Sequence, residues 1–140
     1  MSKTSELNYV PVRRRTREEI LRSLSSGKAE EIRDALISAA YWDEDWRWAQ
    51  QQLINFAEYE DEVVLWAVVA GLGFIATFHG EIDEETALPV LNRLKDRPTL
   101  AGDVEETSAQ IDWFVTRRKR GEDIDLGQRL PEDWRPPGQR

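Results

Sequence analysis

The amino-acid sequence predicts an all-α protein, a short α-solenoid of five or six antiparallel helices followed by a flexible C-terminal tail. Apolar residues recur at three- and four-residue spacing through most of the chain, which is the period of an amphipathic helix. Helix-capping residues stand where these patterns begin. A short motif also recurs 18 residues later, as expected of stacked helical units. No segment has a convincing β-strand pattern.

The composition changes twice along the 140-residue chain and so divides it into three regions. Residues 1–15 are predicted to form an extended N-terminal arm, and residues 16–120 to form the helical domain. Residues 121–140 are polar and contain two proline-bearing stretches, which predicts a tail without packed structure. A single domain of this length is large enough to bury an apolar core.

A cap and an apolar stripe place the first two helices. Thr16 and Glu19 have the spacing of a capping box, in which each side chain accepts a hydrogen bond from the other residue's main-chain N–H. The first helix is therefore predicted to begin at Thr16 and to end at residues 25–27. The second should run from about residue 28 to 41, because four apolar side chains share one of its faces: Ile32, Ala35, Leu36 and Ala39.

Acids and glycines bound the other four helices. Gly80 suits the left-handed position that follows a helix, so we predict that the fourth helix ends just before it. Pro89 lies within the pattern of the fifth helix, which predicts a kink or a later start. The predicted ranges are residues 43–58 for the third helix, 61–79 for the fourth, 83 onward for the fifth and 102–120 for the sixth.

The fourth helix is apolar on nearly every side, so we predict that it is the most buried element. Its apolar run, residues 63–78, is too short for a confident membrane span. Gly71 and Gly73 indicate close approach of neighbouring helices. We therefore interpret this segment as a core helix and expect no membrane association.

Cysteine is missing and the charge is strongly negative. Without cysteine there is no disulfide, cysteine–zinc site or thiol nucleophile, which fits a reducing, cytoplasmic location. The N-terminus has no apolar signal-peptide core. The net charge is −8, and residues 41–113 carry sixteen acids against four cations. This region would repel phosphate backbones and attract a basic protein, so we expect a protein partner and no nucleic acid.

The recurring motif pairs residues 43–49 with residues 61–67, with Asp, Glu, Trp and Ala identical in register. Trp48 and Trp66 occupy matching positions, so both are predicted to lie in the core. The alternative is that any two amphipathic helices with acidic starts look alike. We favour a true repeat, in which each unit buries its apolar face against its neighbours.

Four residues are spaced as in the second half of a HEAT repeat: Val64, Ala67, Leu72 and Gly73. A weaker copy runs from Trp46 to Ile54. On these residues the sequence resembles the short bacterial HEAT-like proteins over residues 28–118. Leu65 stands where that family usually has arginine, so the customary contact between turns is not expected there. The resemblance implies an α-solenoid with a protein-binding surface and no catalytic residues.

Small acidic bacterial proteins of this kind also resemble, as a class, the immunity proteins of secreted toxin systems. This resemblance implies an antitoxin-like inhibitor that masks a basic toxin domain. The alternative is a general HEAT-like scaffold or adaptor. An enzyme is disfavoured, because the sequence has no phosphate-binding loop, nucleophile elbow or HExxH motif. We expect no cofactor and no metal, and the sequence leaves the oligomeric state open.

Groups that could carry chemistry have simpler structural interpretations. His79, the single histidine, stands in the last turn before Gly80, where it suits the helix dipole. The basic run at residues 117–120 precedes Gly121 and also suits a helix C-terminus, which we favour over nucleic-acid contact. The acidic clusters lack the ligand spacing of a calcium loop. Capping and solvation explain them, with partner binding as the alternative.

We predict a partner-binding site where acids and tryptophans coincide. In an antiparallel stack, the acidic starts of the third and fifth helices should lie at one end, and residues 58–62 at the other. Acids there would speed encounter with a basic partner, and a desolvated tryptophan would slow its release. The predicted members are Trp42, Asp43, Glu44, Asp45, Trp46, Glu81, Asp83 and Glu84. Trp134, in the tail, should either fold back or serve as a recognition peg.

Overall fold

Helices account for all of the regular structure in the described residues. The structure, a computed structural model, describes residues 11–134, 137 and 138. The predicted all-α class is confirmed. Within these residues six helices of eight residues or more follow one another: α1 (Arg17–Leu24), α2 (Ala29–Trp42), α3 (Trp46–Asn55), α4 (Glu62–His79), α5 (Glu84–Leu94) and α6 (Ala101–Ile111). A π-helical turn (Asp112–Thr116) and a short α7 (Arg117–Lys119) continue α6.

Most of the predicted helix boundaries are formed by the expected caps. Thr16 Oγ1 accepts from the Glu19 N–H at 3.1 Å, and the Thr16 N–H donates to Glu19 Oε1 at 2.8 Å, which completes the capping box. Asp61 and Asp83 cap α4 and α5 with their side chains. Gly80 ends α4 with a φ of 63°, a left-handed conformation that glycine adopts without steric cost. Local sequence thus determines where these helices begin and end.

Helix α4 forms the centre of the stack and packs against α2, α3 and α6. Ten of its residues are buried, which confirms that it is the most buried helix. By length and composition alone α4 could cross a membrane, but 56% of it is buried inside the protein. Burial among neighbouring helices therefore explains its apolar sequence.

Glycines in α4 allow its neighbours to approach closely. A Cβ at Gly73 would lie 2.1 Å from Gln110 Oε1 of α6, a distance that no real contact reaches. At this close crossing the buried Thr107 hydroxyl donates to the Val69 carbonyl at 3.0 Å. Gly71 faces α3 in a similar way. The prediction of close packing at both glycines is confirmed.

The 18-residue repeat does not join equivalent positions in α3 and α4. Helix α3 begins after its cap Asp45, whereas α4 begins after its cap Asp61, so the helix starts are 16 residues apart. Trp48 is half-buried under the Arg17 guanidinium, which lies 4.3 Å from its ring centre. Trp66, in contrast, is 38% exposed. The prediction of a core position is wrong for Trp66, because the two motifs start at different points of their helices.

The segment from residue 122 to 134 has no helix, as predicted, and some of its residues bind the helices. The Gly127 N–H donates to the Thr77 carbonyl at 2.9 Å. The Leu130 N–H donates to the Tyr41 hydroxyl at 2.6 Å. Backbone groups far apart in sequence thus tie this segment across α2 and α4, and we call it the strap. Proline and polar composition did not predict such pairing.

The described part of the N-terminal arm lies beside α2. The Trp42 indole N–H donates to the Val12 carbonyl at 2.8 Å. The Arg14 N–H donates to the Glu132 carboxylate at 2.7 Å, so the arm and the strap meet. The prediction for residues 1–10 lies outside the described residues.

Candidate protein-binding site

The antiparallel order brings the predicted site residues to one end of the stack. We call residues 42–46 and 80–84 the tryptophan end. Gln50 of α3 links the two segments. Its Nε2 donates to the Asp83 carbonyl at 2.8 Å, and its Oε1 accepts from the Asp83 N–H at 3.0 Å. Glu62 lies at the start of α4, at the other end of the stack, where Arg97 and Thr99 bind its carboxylate.

Several acids at the tryptophan end are bound by the protein's own groups. Arg17 donates two hydrogen bonds of 2.9 Å to Asp43. Asp45 caps α3 by accepting from the Trp48 N–H, and it also lies 3.6 Å from Arg17. Glu84 pairs with Lys119 at 2.9 Å. Their charges are therefore partly neutralised before any partner arrives.

Burial tends to raise the pKa of Asp43, but hydrogen bonds from Arg17 and the Asp45 N–H, with the arginine charge, outweigh it and lower the pKa. Asp43 is therefore ionised at neutral pH and serves the fold. Glu44 and Glu81 differ, because both are exposed and form no ion pair with the described residues. Of the six acids predicted for the site, these two are thus the ones that neither cap a helix nor form an ion pair with the described residues.

The two predicted tryptophans are not equally available. Trp42 is covered, because its indole N–H is bound to the arm and the Arg14 guanidinium lies 4.3 Å from its ring centre. Trp46 is half-exposed and has only Arg47 over its ring, at 4.5 Å. It lines a shallow cavity of about 200 Å³ together with Gln50 and Asp83. Trp46 is thus the accessible aromatic group of this end.

A second surface, centred on Trp66, was missed by the sequence analysis. Trp66 lines both a cavity of about 820 Å³ over α2 and α4 and one of about 340 Å³ toward the start of α6. The sequence does not distinguish this surface, because the stripe of α4 that forms it is as apolar as the rest of the helix and differs only in being less buried. Its members are Val63, Trp66, Ala70 and Phe74. We call this surface the Trp66 groove.

His79 is a contact of the strap. Arg129 Nη2 lies 3.1 Å from His79 Nε2, and because a guanidinium can only donate, the histidine ring is neutral and accepts. Burial, followed by the charge of Arg129, lowers the pKa of His79 below its ordinary 6.5, against the opposing charges of Glu44 and Asp43. The neutral form of the single histidine therefore binds the strap through Arg129.

Acidification is expected to destabilise the protein through His79. Because its pKa is lower in the folded chain, the unfolded chain binds more protons as the pH falls below 6.5. The free energy of unfolding should therefore decrease from pH 6.5 toward the folded pKa and be independent of this group above 6.5. Urea unfolding across this range measures the effect. His79→Gln keeps an acceptor that does not titrate, and a slope equal to that of wild type would contradict the assignment.

The basic run has structural partners, as favoured from the sequence. Arg118 donates to the carbonyls of His79 and Gly80, at 3.1 and 2.8 Å, and so caps the C-terminus of α4. Arg117 pairs with Glu122 at 3.0 Å. The run therefore attaches α7 to the tryptophan end.

Comparison with solved structures shows a likeness in both fold and sequence. No family model matches the chain, and no curated protein matches it. The chain is similar to one in the crystal structure of a CDI complex from Cupriavidus taiwanensis LMG 19424. The two are 27% identical with a TM-score of 0.67, and the match covers 76% of this chain and 96% of that chain. The likeness thus spans nearly all of the neighbour and includes sequence as well as fold.

Proposed function

We propose that this chain is an immunity protein, which binds and masks the toxin domain of a contact-dependent inhibition system. The observation that carries the proposal is its likeness to a chain of a CDI complex, at 27% identity over 96% of that chain. Such complexes belong to the toxin–immunity class. A role in binding another protein agrees with this likeness.

Within a toxin–immunity pair, the chemistry of this chain suits the inhibitor. A toxin requires groups that perform its reaction, whereas this sequence has no cysteine and one histidine. That histidine contacts the strap. Four of the six acids proposed for the site cap helices or form ion pairs. We propose that the protein is non-enzymatic, needs no cofactor and acts in the cytoplasm.

The proposed contact is the tryptophan end, and the proposed partner surface is basic. The net charge of −8 favours a basic partner over long distances. Glu44 and Glu81 are exposed there without ion pairs, and Trp46 lines the cavity beside Asp83. Charges would accelerate association, and the tryptophan would slow dissociation once it is desolvated.

Capture followed by a growth assay tests this function. The tagged chain is expressed in its own bacterium, and the proteins that it retains are identified by mass spectrometry. Each is then expressed in a bacterial host with and without the chain. We expect one retained protein to arrest growth alone and to be neutralised by co-expression. Retained proteins that are harmless, or whose toxicity the chain does not relieve, would instead favour the adaptor with a HEAT-like shape.

A further inference from the structure

The Trp66 groove extends along one face of the stack. Its larger part runs from Pro11 of the arm, between Ile37 and Phe74, and its smaller part reaches Leu100 at the start of α6. Trp66 and Arg33 line both parts, so the two cavities are adjacent. A groove of this volume with an aromatic floor has the size and composition of a site for side chains of another molecule.

Trp66 has the properties of an interface anchor. It is 38% exposed, and the neighbouring Val63 is exposed to the same extent. Tryptophan is enriched among interface residues that contribute most to affinity, because covering its large ring removes much apolar surface from water. The two side chains lie three residues apart on α4 and therefore present one apolar strip.

The charge of the groove is opposite to that of the whole protein. Arg13, Arg15 and Arg33 line its larger part, against a single carboxylate, Asp34. Arg33 forms an ion pair with the Asp34 carboxylate at 2.8 Å, whereas Arg15 lies 4.0 Å from it. Arg13 is exposed and forms no ion pair with the described residues. On a protein with a net charge of −8, this rim is locally positive.

The rim includes one buried donor, the Nε of Arg15, that has no hydrogen bond with any of the described residues. Protein atoms cover this Nε, and 16% of the Arg15 side chain is exposed, so a ligand meets Arg15 through the exposed part of its side chain. A carboxylate is the acceptor that a guanidinium binds most strongly, through paired charge-assisted hydrogen bonds.

We propose that the Trp66 groove binds a segment of a partner protein in which an apolar side chain stands next to a carboxylate. The apolar side chain covers Trp66, and the carboxylate binds Arg13 and Arg15. For the identity of the partner this inference rests on the proposed function. A basic contact at the tryptophan end and an acidic contact in the groove would then fix a single orientation of the bound toxin domain. A second copy of this acidic chain is a poorer occupant, because like charges repel.

Peptide selection tests the chemistry of the groove without any knowledge of the partner. A displayed library of short random peptides is selected on the immobilised full chain, with counter-selection on Trp66→Ser. We expect enriched peptides to carry Asp or Glu beside an aromatic or aliphatic residue. Their affinity should fall about tenfold in Arg13→Glu, because this change removes one ion pair and places a repelling carboxylate beside the ligand. Enrichment of basic or purely apolar peptides, or of none, would overturn the proposal.

A matched control distinguishes binding in the groove from binding to any exposed tryptophan. Trp113 is 52% exposed, lies under Arg117 on the π-helical turn and does not line the groove. Trp113→Ser should leave peptide binding unchanged. If it weakens binding as much as Trp66→Ser, the groove is not the site. Sedimentation of the free chain completes the test, because a dimer abolished by Trp66→Ser would assign the groove to a second copy and overturn the proposal.

Failure of this inference is distinguishable from failure of the proposed function. If a toxin is captured and neutralised equally by wild type, Trp66→Ser and Arg13→Glu, the groove proposal fails and the immunity function stands. If selected peptides are acidic and apolar but no retained protein is toxic, the groove binds as proposed and the immunity function fails.

Discussion

Gly71→Leu is expected to lower the free energy of unfolding by about 1–3 kcal/mol or more, because α3 and α2 leave no room beside α4. A Cβ at this position would already lie 2.7 and 2.8 Å from the two Leu53 methyl groups and 3.2 Å from the Ala40 Cβ. Leucine adds three further carbons in the same direction. The helices must therefore separate or the side chains must leave their preferred rotamers.

Denaturant unfolding of the purified variant measures this effect. Gly102 supplies the matched control, since it lies in α6 and a Cβ there has no heavy atom within 4 Å. Gly102→Leu should be neutral or stabilising, because glycine is about 1 kcal/mol less favourable than the best helix formers. Equal unfolding midpoints for the two variants would remove α4 from the centre of the core.

Reversing two charges at the tryptophan end is expected to slow association with the proposed partner, a basic toxin domain, about tenfold at low salt. The variant is Glu44→Lys with Glu81→Lys, because both glutamates are exposed and unpaired in the described residues. Asp45 is left unchanged, since it caps α3 and its loss would damage the fold. The salt dependence of the association rate should also become flatter.

Trp46→Ala is expected to act on dissociation instead, raising its rate about tenfold or more as anchor residues do. Stopped-flow mixing and surface-based kinetics at several salt concentrations distinguish the two effects. The control charge reversal is Glu105→Lys, on the exposed part of α6. A partner that binds all these variants with unchanged kinetics, or equally fast in low and high salt, would place the contact elsewhere.

Helix boundaries were predictable because their causes are local. Thr16 and Glu19 lie three residues apart, and Gly80 directly follows the helix that it ends. The burial of α4 was equally predictable, because a helix that is apolar on every side can avoid water only inside the fold. These features depend on short spacing and composition, which the sequence displays directly.

The availability of the site residues was not predictable, because it depends on pairs distant in sequence. Asp43 is bound by Arg17, 26 residues away, and Glu84 by Lys119, 35 residues away. The prediction of a core position for Trp66 is wrong because its match to Trp48 in sequence does not correspond to an equivalent position in the helix. The sequence shows where the acidic and aromatic residues are. Which residues they contact depends on how the helices pack.

The strap has a consequence for how the protein is made. Tyr41 and Phe78 are covered by Leu130 and Arg129, which are synthesised after all the helices from α1 to α7. While these residues are still inside the ribosome, the helices already outside present an uncovered aromatic surface, of the kind that promotes association between chains. Translation that stops before Gly127 would leave this surface open permanently. The aromatic surface of the helices is therefore protected only once the strap has been synthesised and has left the ribosome.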